Sequence, residues 1–267
     1  MAEDLSLHRF TAVDRANDLQ TYISALAAFD SIAQLQELKR TARALIGPSS
    51  HVLDVGCGFG LETVRLARLV TSGPPVAGID KSAGFIAEAE RLAAADGLRI
   101  DYRVGDAAAL PWPDASFDHV RAERLLIYLD DVRQAVAGMK RVVRPGGSLA
   151  FIEPDFGTTT VNLPDRALVR RALAHEADTA VAQSWLPGPL GAMLDDLGLH
   201  DITVTTRVVI FPQDLGAEYF SSVGRNAEKD GAISSDELGV WQTGIDALHA
   251  AGRLFGTVGY FLFTARA

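Results

Sequence analysis

His51-Val52-Leu53-Asp54-Val55-Gly56-Cys57-Gly58-Phe59-Gly60 is the stretch from which the rest of the chain is read. Val52 to Val55 is a short, mostly apolar run of the kind that forms a buried parallel strand. Asp54 lies near its end, and three glycines follow at alternate positions. Leu61 to Val70 then shows helical spacing, with Leu61, Val64, Leu66, Ala67 and Leu69 available for packing. Strand, glycine turn and helix form the layout of a nucleotide-binding crevice. Glycines suit that turn because a Cβ would hold backbone and ligand apart.

The glycine spacing narrows the ligand. A dinucleotide fingerprint reads G-x-G-x-x-G, whereas here the third glycine, Gly60, comes one residue early and Leu61 holds the fingerprint position. Asp54 sits two residues before Gly56. A carboxylate there repels a pyrophosphate and suits an ammonium. S-adenosylmethionine carries an ammonium and a sulfonium and no phosphate. The run V-L-D-V-G-C-G-F-G at 52–60 resembles the glycine motif of the class I S-adenosylmethionine-dependent methyltransferases.

Later segments fit the same resemblance. Val76-Ala77-Gly78-Ile79-Asp80 reads as a second strand closed by an acid. A carboxylate offers acceptors to two vicinal ribose hydroxyls; the competing reading makes Asp80 the N-cap of the helix starting near Ser82. An NAD enzyme would use the same acid, so Asp80 does not choose between cofactors. Gly105-Asp106-Ala107, then Leu110-Pro111-Trp112 and Asp114-Ala115-Ser116-Phe117-Asp118, are similar to the family's G-D-A…L-P-F…D-x-S-F-D stretch. The resemblance implies that Asp106 accepts from the adenine amino group and that the Ala107 amide donates to a ring nitrogen. The alternative is that Asp106 caps the following turn. Arg141-Val142-Val143-Arg144-Pro145-Gly146-Gly147-Ser148-Leu149 is similar to the family's turn before the fifth strand, a marker of fold. The expected cofactor contacts are therefore Asp54, Gly56, Cys57, Gly58, Gly60, Asp80, Lys81, Gly105, Asp106, Ala107 and Glu123.

The acceptor side is less legible. Many relatives carry a histidine after the fourth strand, where this chain has Tyr128. A tyrosine with an ordinary pKa near 10 is a poor base at neutral pH but can orient a substrate. Tyr128, Glu153 and His175 are the candidate catalytic residues, with Asp155 as a further polar neighbour. For His175 the alternative is an exposed helical histidine; for Glu153 and Asp155 it is ordering of a loop. His119 reads as a strand histidine satisfied in the core or at the surface. Phe10, Tyr22 and Phe29 are candidates to line a pocket.

Composition bounds the rest. The chain has 267 residues, 48% hydrophobic and 22% charged, an ordinary soluble globular composition. No apolar run has membrane-spanning length and no signal-peptide pattern opens the chain, so a cytoplasmic location and no membrane partner are expected. Net charge is -9, and Lys39-Arg40-Arg43 and Arg170-Arg171 are the densest basic groups. That argues against a nucleic-acid partner. The single cysteine, Cys57, permits no intrachain disulfide, and no Cys/His cluster has zinc-ligand spacing.

The resemblance implies a Rossmann-like, seven-stranded, mostly parallel α/β sheet with helices on both faces and a helical lid. Residues 1–267 are read as one domain: 18–46 as N-terminal lid helices, 50–155 as the cofactor-binding core, and 156–200 and 212–255 as lid or substrate elements. The implied activity is transfer of a methyl group from S-adenosylmethionine to O, C or N of a small-molecule acceptor, leaving S-adenosylhomocysteine, in a monomer or homodimer without a metal. The alternative is a cyclase or rearrangement enzyme binding the same cofactor on the same fold. An NAD oxidoreductase is disfavoured by the glycine spacing and by Asp54.

Overall fold

The computed structural model describes residues 19–267, apart from the side chain of Thr21. Phe10 lies outside the described residues. Seven strands form one sheet: β1 (Val52–Val55), β2 (Val76–Asp80), β3 (Ile100–Val104), β4 (Phe117–Glu123), β5 (Val143–Val161), β6 (His200–Ile210) and β7 (Gly256–Arg266). Their order across the sheet is β3-β2-β1-β4-β5-β7-β6. The first five pair in parallel, and β7 runs antiparallel between β5 and β6. The expected mostly parallel sheet is present, and the strands at 200–210 and 256–266 form the antiparallel pair at one edge.

The helices are α1 (Leu19–Asp30), α2 (Ala33–Arg43), α3 (Leu61–Leu69), α4 (Ala83–Ala95), α5 (Val132–Val142), α6 (Arg166–Thr179), α7 (Pro187–Asp196), α8 (Gln213–Lys229) and α9 (Ser235–Ala250). Alternation along each strand divides the core. Leu53 and Val55, Val120 and Ala122, and Leu149 and Phe151 pack with α5 and α7. Ala150, Ile152, Val258, Tyr260 and Leu262 pack with α2, α6, α8 and α9. Val52 and Val76 meet Leu66 of α3. Sequence-encoded caps fix several helix starts: the side chains of Ser82, Asp131, Asp165 and Ser234 accept amide bonds from α4, α5, α6 and α9.

Two expectations need correction. The core does not end at 155: β5 runs on to Val161, because Thr160 and Val161 pair with Thr257 and Gly256 of β7 after a register shift. The segment 156–200 is therefore not a lid as a whole. Its α6 and α7 bury Leu168, Ala172, Leu190 and Leu194 against the two faces of the sheet. No helix among the described residues is long and apolar enough to cross a membrane.

Candidate active site

A cavity of about 640 Å³ opens at the carboxyl ends of the parallel strands. This is where open α/β sheets bind ligands, at the point where strand order reverses between β1 and β4. All eleven residues expected to hold the cofactor line it, and so does Tyr128. Leu26 and Phe29 of α1 and Leu215 and Tyr219 of α8 line its outer part. Of 156–200, only Phe156 reaches it. Tyr22 instead packs with Phe59 and Phe85.

The glycine turn closes on itself. Gly56 and Cys57 donate their amides to Ile79 O at 2.8 and 3.0 Å, and Gly60 donates to Cys57 O at 3.0 Å. The Gly58 amide donates to Asp80 Oδ2 at 2.9 Å. A phosphate-binding turn leaves such amides pointing at its anion; this one engages them within the protein. Gly58 has φ +54, and a Cβ built on it meets nothing within 4 Å. It thus leaves a smooth wall at the cavity. Gly60, at φ +85, has no such room, since a Cβ would run into the Tyr102 hydroxyl and Ala89. The sole cysteine, Cys57, is buried, and burial beside Asp54 and Asp80 raises its thiol well above the ordinary range. It fills the turn as a thiol.

Asp80 is not the helix cap; Ser82 is, accepting from Phe85 N. Asp80 Oδ1 accepts from Ser82 N at 2.9 Å while Oδ2 accepts from Gly58 N. The two amides lock the carboxylate at the end of β2, where it lines the cavity. Asp106 caps the following turn, its Oδ1 accepting from Ala108 N at 2.8 Å, and the side chain is exposed at the cavity. Trp112 is core, edge-on to Phe117 with Arg103 over its ring.

Asp54 is held from within the protein. It lines the cavity, but only 1% of it is exposed, and both oxygens are engaged inside. Oδ1 accepts from Arg121 at 2.8 Å and Oδ2 from the Thr63 hydroxyl at 2.7 Å. Burial raises its pKa, and Arg121 and Thr63 offset this in part. Arg121 continues to Glu123 Oε2 at 2.6 Å. Lys39 Nζ lies 2.9 Å from Glu123 Oε1, off the direction of a hydrogen bond, and 2.5 Å from Asp30. Arg65 joins Asp30 to Glu62, and Arg43 closes the chain on Glu62 at 2.7 Å. Four carboxylates and four cations alternate between the sheet and α1, α2 and α3. Burial alone would raise Glu123, but Lys39, Arg121 and Arg124 pull it down to about 2. The site thus has a charged floor whose members are bound to one another.

The candidate catalytic residues separate. Tyr128, on a 3-10 turn at Leu126–Tyr128, lines the cavity, and burial raises its phenol well above the ordinary value. It is a donor across the neutral range. Glu153 is fully buried on β5 and does not line the cavity. Its Oε1 accepts from Leu126 N at 2.9 Å and Leu125 N at 3.2 Å, which orders the turn carrying Tyr128. Burial pushes its carboxyl up to about 8 despite those amides. His175 is placed away from the cavity; its Nε2 meets Asp230 at 3.1 Å, between α6 and the end of α8. Asp155 accepts from Gly157 N at 2.9 Å where the register of β5 shifts against β7. His119 is a core histidine on Ser148, and burial holds it down to about 3.

Sequence reasoning missed Arg124 and Glu176. Arg124 lines the cavity with φ +46, in the left-handed region that non-glycine residues rarely adopt. Glu176, the neighbour of His175, is buried beside the Tyr219 phenol, and burial pushes it up to about 7. A charged residue next to a chosen histidine gives no sequence signal of which one turns inward. No group of three or more His, Cys, Asp or Glu among the described residues is placed to hold a metal.

The chain resembles known proteins throughout. Residues 53–151 match the family described as "Methyltransferase domain". An uncharacterised 37.1 kDa protein in transposon TN4556 of Streptomyces fradiae is 31% identical over 253 residues, covering 94% of this chain and 72% of that protein. The O-methyltransferase resE of Aspergillus sclerotiorum is 39% identical over 114 residues, 42% of either chain. Among solved structures, the [4+2]-cyclase SpnF superposes with a TM-score of 0.54 at 24% identity, covering 87% of this chain and 80% of that one. Engaged loop amides, an open wall at Gly58 and a locked acid at Asp80 fit S-adenosylmethionine as the ligand. The chain belongs to the class I S-adenosylmethionine-dependent methyltransferases, with S-adenosylmethionine as its cofactor.

Proposed function

We propose that the protein transfers a methyl group from S-adenosylmethionine to a nucleophilic atom of a small-molecule acceptor, leaving S-adenosylhomocysteine. The observation that carries this reading is the division of one cavity. Its inner part is built from the glycine turn, Asp80 and Asp106; its outer part is walled by Phe29, Tyr128, Phe156, Tyr219 and Tyr260. A cavity walled by aromatic side chains suits a small apolar body better than a nucleic-acid backbone, in keeping with the net charge of -9.

The cofactor supplies an electrophilic methyl on sulfur. Asp80 would accept from the ribose hydroxyls, and Asp106 with the Ala107 amide would hold the adenine edge. Gly58 admits close approach. Tyr128 would orient the acceptor by donating its phenol proton in a hydrogen bond. Positioning and exclusion of water provide the acceleration such a site offers without a dedicated base.

The test is calorimetric titration of wild type and Asp80→Ala with S-adenosylmethionine and, separately, NADH. Micromolar S-adenosylmethionine binding, weakened at least about tenfold in the variant, is expected. NADH binding in its place would overturn the reading. SpnF is titled a cyclase on this fold, so product mass is the second check. A product one CH₂ heavier than its precursor supports methyl transfer; an unchanged mass supports rearrangement.

A further inference from the structure

The cavity holds a cation that the charged floor does not neutralise. Arg121, Lys39, Arg65 and Arg43 each meet a carboxylate at 2.9 Å or less. Among the described residues the one ion pair of Arg124 is long, Nε 3.7 Å from Glu123 Oε1, the same oxygen that Lys39 approaches at 2.9 Å. Its Nε is buried and has no hydrogen-bond partner among the described residues. The other carboxylate nearby, Glu153, is held largely protonated at neutral pH by burial. Glu218 on α8 is exposed, where solvent screens it. The outer chamber therefore carries surplus positive charge at Arg124.

The surroundings make this guanidinium a binding group. Its carbon lies 5.5 Å from the centroid of the Phe29 ring on α1. The Tyr260 phenol is within hydrogen-bonding reach, and burial pushes that phenol up to about 12, so it stays protonated. Tyr128 is the third polar wall. The left-handed backbone at Arg124 is held by Arg124 N donating to Ile152 O at 2.9 Å. Strain of this kind persists where the surroundings enforce it. Position assigns the group to the acceptor. The adenosine contacts Asp80 and Asp106 lie on the β2 and β3 side of β1, whereas Arg124 follows β4 and faces Tyr260 of β7.

We infer that the methyl acceptor carries an ionised acidic oxygen, a carboxylate or the anion of an enol or phenol, which pairs with Arg124 between Tyr128, Tyr260 and Phe29. The inference rests on the methyl-transfer reading and narrows it. Where the ionised oxygen is the nucleophile, its lone pair forms the O–CH₃ bond. The methyl–sulfur bond breaks and its electron pair stays on sulfur. Anion and sulfonium become a neutral ester or ether and a neutral thioether, and no proton moves. A site whose tyrosines stay protonated needs no base for such an acceptor.

The test uses wild type, Arg124→Met and Arg124→Lys, each saturated with S-adenosylhomocysteine, titrated with cinnamate and with cinnamamide. Wild type should bind the acid at least about tenfold more tightly than the amide, the fold-change of one charge-assisted hydrogen bond. The preference should vanish in Arg124→Met and survive in part in Arg124→Lys. Failure of the acid to bind better than the amide in wild type overturns the inference, as does a preference that persists in Arg124→Met. So does a large loss of S-adenosylmethionine affinity in Arg124→Met with the acid preference intact, which would place the guanidinium on the cofactor's own carboxylate. Absence of S-adenosylmethionine binding by wild type sinks the methyl-transfer reading instead, and is read in a separate titration.

Discussion

Arg121 and Asp54 face each other directly across β4 and β1, and their side chains meet at 2.8 Å with both groups almost wholly buried. The acid that the glycine motif presents as a ligand contact is thereby the first member of a charged chain reaching to Arg43 at the end of α2. Removing one member leaves a buried charge without its partner, which costs about 3–5 kcal/mol. Arg121→Met should therefore lower the unfolding free energy by that amount in urea titration, because it strands both Asp54 and Glu123. A loss of less than about 1 kcal/mol would mean that water reaches and solvates the chain.

Gly58 and Gly60 share a left-handed backbone and differ in what surrounds them. Gly58→Ala should fold with a loss of about 1–2 kcal/mol, since only the backbone objects, yet weaken S-adenosylmethionine binding at least about tenfold by placing a methyl in the cavity. Gly60→Ala should lose more stability, because Tyr102 and Ala89 occupy the space. Thermal unfolding and calorimetry of the pair separate the two effects.

Two buried groups bend the stability curve at opposite ends. Glu153 binds its proton more tightly in the folded chain, about 8 against 4.5. Its contribution is therefore complete below pH 4.5 and lost as pH rises through 8. Glu153→Gln should flatten that fall, by up to roughly 4 kcal/mol at pH 8 and above. His119 binds its proton less tightly when folded, about 3 against 6.5. Its contribution is present above pH 6.5 and lost as pH falls toward 3, so His119→Gln should flatten the acid limb. Urea midpoints measured across that range check both signs.

Tyr128 keeps its proton through the neutral range. Tyr128→Phe should thus lower kcat without changing the shape of its pH profile between about pH 6 and 9. A profile that loses an ionisation in the variant would make Tyr128 a base.

Much of the fold is legible because β1 and β2 are short, mostly apolar runs followed by turn signals, and the acids that shape the inner cavity stand at or just after strand ends. Every expected cofactor residue lines the cavity for that reason. What the sequence hides is pairing across strands. Arg121 lies 67 residues from Asp54, and nothing local announces that the two are opposite. The same holds for Arg124, whose left-handed backbone is imposed by β5, and for Glu153, whose partners are amides of another turn. His175 failed as a candidate because a helix phase decides which of two neighbours turns inward. The continuation of β5 was hidden because Thr158, Thr159 and Thr160 look like loop until β7 lies beside them.

The order of strands also sets when during synthesis the protein becomes competent. Among the described strands, β6 has no neighbour in the sheet except β7, and β7 fills the gap between β6 and β5. Until β7 emerges, β5 is an edge of the sheet and β6 has no strand to pair with. It is β7 that brings Val258 and Tyr260 to the cavity wall. The inner pocket is built around β1 to β4 and the outer chamber needs β7, so a ribosome-bound intermediate would possess a floor for the cofactor before it has a wall for the acceptor.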